Sequence, residues 1–295
     1  MTAPGRSAWL RAMPVVFVLI WSTGFIVARL GMPHAPPMGF LAWRYALSIA
    51  AFAGWIALAR HVPWPRGRRQ WWHLALLGTL QHGGYLGGVW AAVKGGMPAG
   101  LAALIVCLQP VLTAAWLSWR SSAHRVTPRQ WAGLWLGLGG LTLVLWRRMQ
   151  GGEIGVASLA LAIGALLSIT AGTLYQKRFV TPVDVRSANL VQLLAAFAVT
   201  LPLALIEPEP MQWNAQLGAA MAWSVLALTL GGSSLLYLLI QRGAATRVTS
   251  LMYLVPPCTA VMAWLLFREP ITLVTMLGIA LTAVGVSLVV RSEQR

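Results

Sequence analysis

Long apolar runs, broken only by short punctuation, dominate this chain: Leu101 to Leu117 and Leu273 to Val290 are two that run almost without a charge. A helix that crosses a bilayer takes about 20 mostly apolar residues. Lipid offers no hydrogen bonds, so backbone at that depth must satisfy itself inside a helix or a closed barrel. A barrel would alternate apolar and polar residues over short segments. The unbroken runs point to helices. Only 9% of the 295 residues are charged and 58% are hydrophobic, against about 25% charged in soluble proteins. The expected fold is therefore all-α and integral to the membrane.

Ten spans are expected, at 13–30, 39–60, 71–93, 98–120, 128–147, 155–177, 186–206, 215–241, 246–268 and 271–291. The connections are short and rich in Pro, Gly, Arg or His, and none is long enough to fold as a domain. The first run could pass for a signal peptide, but it lacks a clear small-residue cleavage site and more spans follow it. The net charge of +16 does not indicate a nucleic-acid partner, because the basic residues punctuate apolar runs as cytoplasmic loops do. With the N-terminus in the cytoplasm, 16 Lys and Arg fall on the cytoplasmic side and 5 on the other, with Arg44 inside a span. Both termini are then cytoplasmic. Arg147 and Arg148 run against this bias. Trp64, Trp71, Trp72, Trp119, Trp131, Trp146 and Trp213 lie near span ends, where an amphipathic ring suits the headgroup layer.

The chain also resembles itself. Trp90 to Trp116 matches Tyr237 to Ala263 at a shift of 147: Trp90 falls on Tyr237, Lys94 on Gln241, Gly96 on Gly243 and Pro110 on Pro257. The next spans match at a shift of 145, Gly133 onto Gly278. Two halves follow, 1–150 and 151–295. Five helices is an odd number, so the second half starts on the opposite side and the repeats are inverted. Inverted repeats mark transporters that bind cargo near the midplane and open alternately to either side.

These motifs resemble the drug/metabolite transporter superfamily, and within it the ten-helix EamA-type exporters. The residues that carry the resemblance are Trp21 to Phe25, Trp43-Arg44-Tyr45, Gln109-Pro110, Tyr253 to Pro257, Leu266 to Pro270, Gly278 and Gly285. It covers nearly the whole chain and implies export of small metabolites or amino acids through the bacterial inner membrane. The first half departs from the family: where an acid is often found it reads Arg120-Ser121-Ser122-Ala123, while the second half keeps Glu269.

Polar residues inside spans are costly and are candidate cargo contacts. Gln81, His82 and Tyr85 stand together in the third span among Gly83, Gly84, Gly87 and Gly88. The equivalent eighth span carries Ser233, Ser234 and Tyr237. The ninth carries Tyr253, the fourth Gln109 and the sixth Tyr175. Trp21 and Phe25 share a face of the first span, either as packing or as an aromatic wall. Trp90, near the outer end of the third span, reads as interfacial belt rather than gate. Arg44 either snorkels to the outer headgroups, contacts a carboxylate or phosphate on the exit path, or pairs with an acid such as Glu269. No acid lies in the middle of a span, which favours neutral or zwitterionic cargo over permanent cations. Cys107 and Cys258 read as small hydrophobes. No catalytic constellation, metal site or cofactor motif is expected, and the partners are a small-molecule cargo and the bilayer, with the protein a monomer or homodimer. A multidrug exporter is the nearest rival. A membrane enzyme or scaffold is a more distant one.

Overall fold

The computed structural model describes residues 4–59, 61–120, 127–150, 154–232, 235 and 254–292. Among them the chain is helical, with no strand. Ten helices follow in order: α1 (Pro4–Gly31), α2 (Pro37–Leu58), α3 (68–94), α4 (99–120), α5 (Pro128–Gln150), α6 (Val156–Phe179), α7 (Val185–Ile206), α8 (Ala215–Gly232), α9 (Val255–Phe267) and α10 (Leu273–Ser292). The protein is a multi-pass membrane protein. Four helices, α2, α6, α7 and α8, are long and apolar enough to span by themselves, and 15–31, 99–113, 255–267 and 273–288 are shorter apolar stretches. Large apolar side chains stand exposed along them, including Leu205 and Ile206 at 77% each, which suits a lipid solvent.

Helix ends follow local chemistry. Asp184 caps α7 by accepting from the Arg186 backbone N–H at 2.9 Å, and Asn214 caps α8 by accepting from that of Leu217 at 2.8 Å. α2 opens with Pro36 and Pro37, whose rings preset φ for a first turn but offer no capping side chain. Its free N–H groups are met from α7 instead: Met38 and Gly39 donate to the two carboxylate oxygens of Glu207 at 3.1 and 2.8 Å.

α4 is interrupted at Cys107 and Leu108 and resumes at Gln109, so Pro110 sits in a first turn, where its missing N–H costs nothing. In the second repeat α9 begins at Val255, with Pro256 and Pro257 in its first turn. The prolines matched by the 147 shift thus start helical segments in both repeats.

Two compact units emerge. One comprises Met1–Ile26, Ala99–Glu153 and Gly231–Arg295, and the other Val27–Pro98 and Ile154–Leu230. Each takes helices from both sequence repeats. In the first unit, α10 packs along α5 through small residues that let the backbones approach. Gly140 meets Gly278, Gly137 accepts from the Thr282 hydroxyl at 3.3 Å, and Gly133 meets Gly285. The order of these pairs makes the two helices antiparallel. In the same unit α4 packs on α9, with Gly100 against Ala260, and the Ala99 backbone N–H donates to Glu269 at 3.4 Å.

In the second unit α2 packs against α7, again antiparallel: Glu207 at the end of α7 meets the start of α2, and Arg186 at the start of α7 lies over the Trp55 ring near the end of α2. α3 packs on α6 and α7. At the Glu207 end, Lys94 ties the loops together, pairing with Glu209 at 2.6 Å and donating to the carbonyl of Met32 at 2.9 Å. Trp90 is not an interfacial residue: it is 1% exposed and stacks on Phe40 at 4.3 Å. Of the tryptophans expected at the interface, Trp64, Trp71, Trp72, Trp131, Trp146 and Trp213 are exposed.

Candidate functional site

The second unit holds one helical segment of unusual pitch and most of another. Residues Thr79–Leu86 of α3 and Ser224–Gly232 of α8 are π-helical. At the 147 shift of the repeat, 79–86 maps onto 226–233, so both distortions occupy the same place in the two repeats. π segments are rare and concentrate at functional sites, because one extra residue per turn re-aims side chains and loosens the backbone ladder. The glycines of α3 and α8 permit the distortion, and the hydroxyl of Thr229 reinforces it by bonding the Ser224 carbonyl, five residues back, at 2.9 Å.

Around these segments lies a polar group contributed by α2, α3 and α8. Arg44 is 7% exposed, and its guanidinium Nε and Nη2 donate to Thr229 Oγ1 at 3.3 and 3.2 Å. Tyr45 sends its hydroxyl to the His82 carbonyl at 2.7 Å, and the two rings meet edge to face at 6.0 Å. Tyr85 is 6% exposed. Ser48, one turn further along the Arg44 face of α2, is fully buried and its hydroxyl has no hydrogen-bond partner among the described residues. A serine in a helix ordinarily bonds the carbonyl four residues back.

A second polar group joins α3 to α6. His73 Nδ1 and the Tyr175 hydroxyl lie 2.6 Å apart, and Arg69 Nε donates to His73 Nε2 at 3.3 Å. Phe179 stacks on the same imidazole at 5.5 Å. Further along, the Gln81 amide donates to Gln176 Oε1 at 3.2 Å, and Gln81 packs against Gly172.

The structure therefore divides Gln81, His82 and Tyr85, which the sequence places together. Gln81 goes to α6 with Tyr175, while His82 and Tyr85 go with Arg44. Arg44 does not snorkel: it is buried against α8 and makes no ion pair with Glu269 or any other acid among the described residues. In the other unit, Trp21 pairs with Phe17 at 5.4 Å, not with Phe25, which is buried in its own right. The Gln109 carbonyl accepts from the Thr113 hydroxyl at 2.8 Å. Ser234, Tyr237 and Tyr253 lie outside the described residues.

Sequence reasoning missed Thr229, Ser48 and His73. A signal for Thr229 was present, since the 147 shift places it on His82. Nothing local marked Ser48, whose hydroxyl stands out only once its surroundings are packed. A groove of about 500 Å³ opens between α3 and α7, lined by Arg68, Trp71, Trp72 and apolar residues of α7. None of the expected cargo contacts lines it, and its tryptophan and arginine rim suits headgroup and acyl chain.

The comparisons agree with this architecture. A solved crystal structure, 18% identical, superposes with a TM-score of 0.65 over 97% of this chain and 99% of its own, which shows the fold. The Bacillus subtilis transporter YvbV is 27% identical over 96% of this chain and 91% of its own length. A Salmonella typhimurium protein named as a probable amino-acid metabolite efflux pump is 24% identical over 92% of each chain. The Escherichia coli inner membrane transporter YedA is 24% identical over 92% of this chain and 87% of its own. The model of the EamA-like transporter family matches twice, at residues 11–146 and 156–291. Two family-type repeats, with a distorted helix at the same place in each, make this chain a membrane transporter, and it belongs to the EamA-like transporter family.

Proposed function

We propose that the protein exports small metabolites, amino acids or related zwitterions, from the bacterial cytoplasm across the inner membrane by alternating access, with both termini in the cytoplasm. The observation that carries this reading is the pair of matched π-helical segments beside Arg44, His82 and Tyr85. A transport site needs polar groups at membrane depth that are free to exchange partners, and distorted helices at equivalent positions of inverted repeats supply them. Tyr45, by holding the His82 carbonyl, sets the local frame. Gln81, Tyr175 and His73 stand further along the cargo path.

The acids support a zwitterion over a permanent cation. The four acids among the described residues all stand at helix ends or in loops: Asp184 caps α7, Glu207 meets α2, Glu209 pairs with Lys94 and Glu269 meets α4. None is left in a span to hold a cationic drug. The relative named for amino-acid metabolite efflux points the same way. The test is efflux of labelled amino acids and of a quaternary ammonium dye from proteoliposomes, with and without a pH gradient. Saturable flux of some amino acids and no flux of the dye is the expected outcome. Flux of the dye alone would establish the multidrug reading instead.

A further inference from the structure

We propose that Arg44 is the receptor for the cargo's carboxylate, and that Thr229 Oγ1 holds its place when cargo is absent. The inference rests on the transport reading above and adds which chemical group the site selects.

A guanidinium is charged at every physiological pH. Removing it from water is expensive unless a counter-charge and further hydrogen bonds repay the loss. Arg44 is buried inside a membrane-spanning helix, yet its sole hydrogen-bond partner among the described residues is one neutral hydroxyl. The acids that could neutralise it are committed elsewhere, Glu207 to the first turn of α2 and Glu209 to Lys94. Two N–H groups converging on a single oxygen use the fork poorly, since guanidinium geometry matches the two oxygens of a carboxylate. The surroundings are also under-used. Ser48 Oγ, on the same face of α2, has no partner among the described residues. An unpaired cation and an idle hydroxyl on one helix face are the complement of a carboxylate. The Thr229 bond comes from a π-helical turn, the part of α8 best able to yield when the carboxylate arrives.

The test uses the full-length protein in proteoliposomes, with the twenty amino acids and their α-amides as probes, and intrinsic tryptophan fluorescence of the purified protein as a binding readout independent of flux. The wild type is expected to carry or bind some amino acids and to reject their amides by about 100-fold, the worth of a charge-assisted bidentate contact. Arg44→Gln should lose that discrimination by weakening the acid, with amide binding unchanged, and Arg44→Lys should restore part of it. Thr229→Val, which removes the resident partner, should tighten acid binding several-fold. It also covers the case in which Arg44→Gln fails to fold. Equal handling of acids and amides by the wild type would overturn the proposal while leaving export intact. Unchanged selectivity in Arg44→Gln, or in Thr229→Val, would overturn it too. Absence of flux for every probe would instead remove the export reading, and the binding readout would still decide the role of Arg44.

Discussion

Gly140 and Gly278 meet so closely that a methyl group on Gly140 would lie 2.6 Å from the Gly278 carbonyl oxygen, and one on Gly278 would lie 2.7 Å from the Gly140 carbonyl oxygen. At the 145 shift, Gly133 is the counterpart of Gly278 and Gly285 that of Gly140. The same contact therefore recurs as Gly133 against Gly285, with Gly137 and its counterpart Thr282 between the two. Each helix presents its partner with the surface it receives, as in a two-fold interface. Because α5 and α10 run antiparallel, that axis exchanges repeats of opposite orientation.

Gly278→Leu or Gly140→Leu should separate α5 from α10. Overpacking of a close backbone contact typically costs about 1–3 kcal/mol, and the contact here is with backbone, which cannot turn aside. A fluorescence-detected thermal ramp in detergent should show a clear fall in melting temperature for either variant. Gly139→Leu, where a side chain would meet nothing within 4 Å, should melt with the wild type.

Glu207→Ala should weaken the start of α2. It leaves two N–H groups in the first turn without acceptors, where a cap is worth about 1 kcal/mol. Glu207→Asp, too short to reach both, should fall between. Hydrogen exchange at Met38 and Gly39 measures this directly, and protection in Glu207→Ala equal to wild type would disprove the assignment.

Tyr45→Phe removes the bond to the His82 carbonyl with little change of volume. A net loss of about 1 kcal/mol in stability should accompany a several-fold fall in transport rate, because the freed carbonyl belongs to the π-helical turn. A loss of stability with transport unaltered would show that Tyr45 only packs.

Asp184 carries the pH dependence of the α7 cap. The Arg186 side chain beside it, with help from its backbone N–H, holds the carboxyl below its ordinary value. The folded state then favours the ionised form, so the stabilisation is present above the unfolded carboxylate range and fades as pH falls through it. The pair is close to the surface, so the effect is less than about 1 kcal/mol. Asp184→Asn should be slightly less stable than wild type at pH 7, with the difference shrinking below about pH 4.

Much of this fold was legible because its signals are local or repeated. Apolar runs of spanning length fixed the helices, and the 147 and 145 shifts fixed the inverted repeat. Prolines matched across the repeat signalled distortion there, but not that α4 resumes and α9 begins at them. The candidate site was only partly legible. Arg44 and His82 drew notice as polar residues at depth, but Gln81 was grouped with His82 and Tyr85 by nearness in the chain, and adjacent residues of a helix point about 100° apart. A π turn re-aims each side chain that follows, and glycines near it signal tolerance for distortion without saying which way it goes.

The sequence by itself determined that this chain spans a membrane, how many times, and that its halves are inverted copies, since each follows from hydrophobic length and periodicity along one dimension. Only the tertiary structure decided that Arg44 is turned inward against Thr229 of α8, that Trp90 belongs to the core against Phe40, and that Gln81 leaves His82 for α6. Those outcomes depend on which residues far apart in the chain share one space, and packing fixes that jointly across helices.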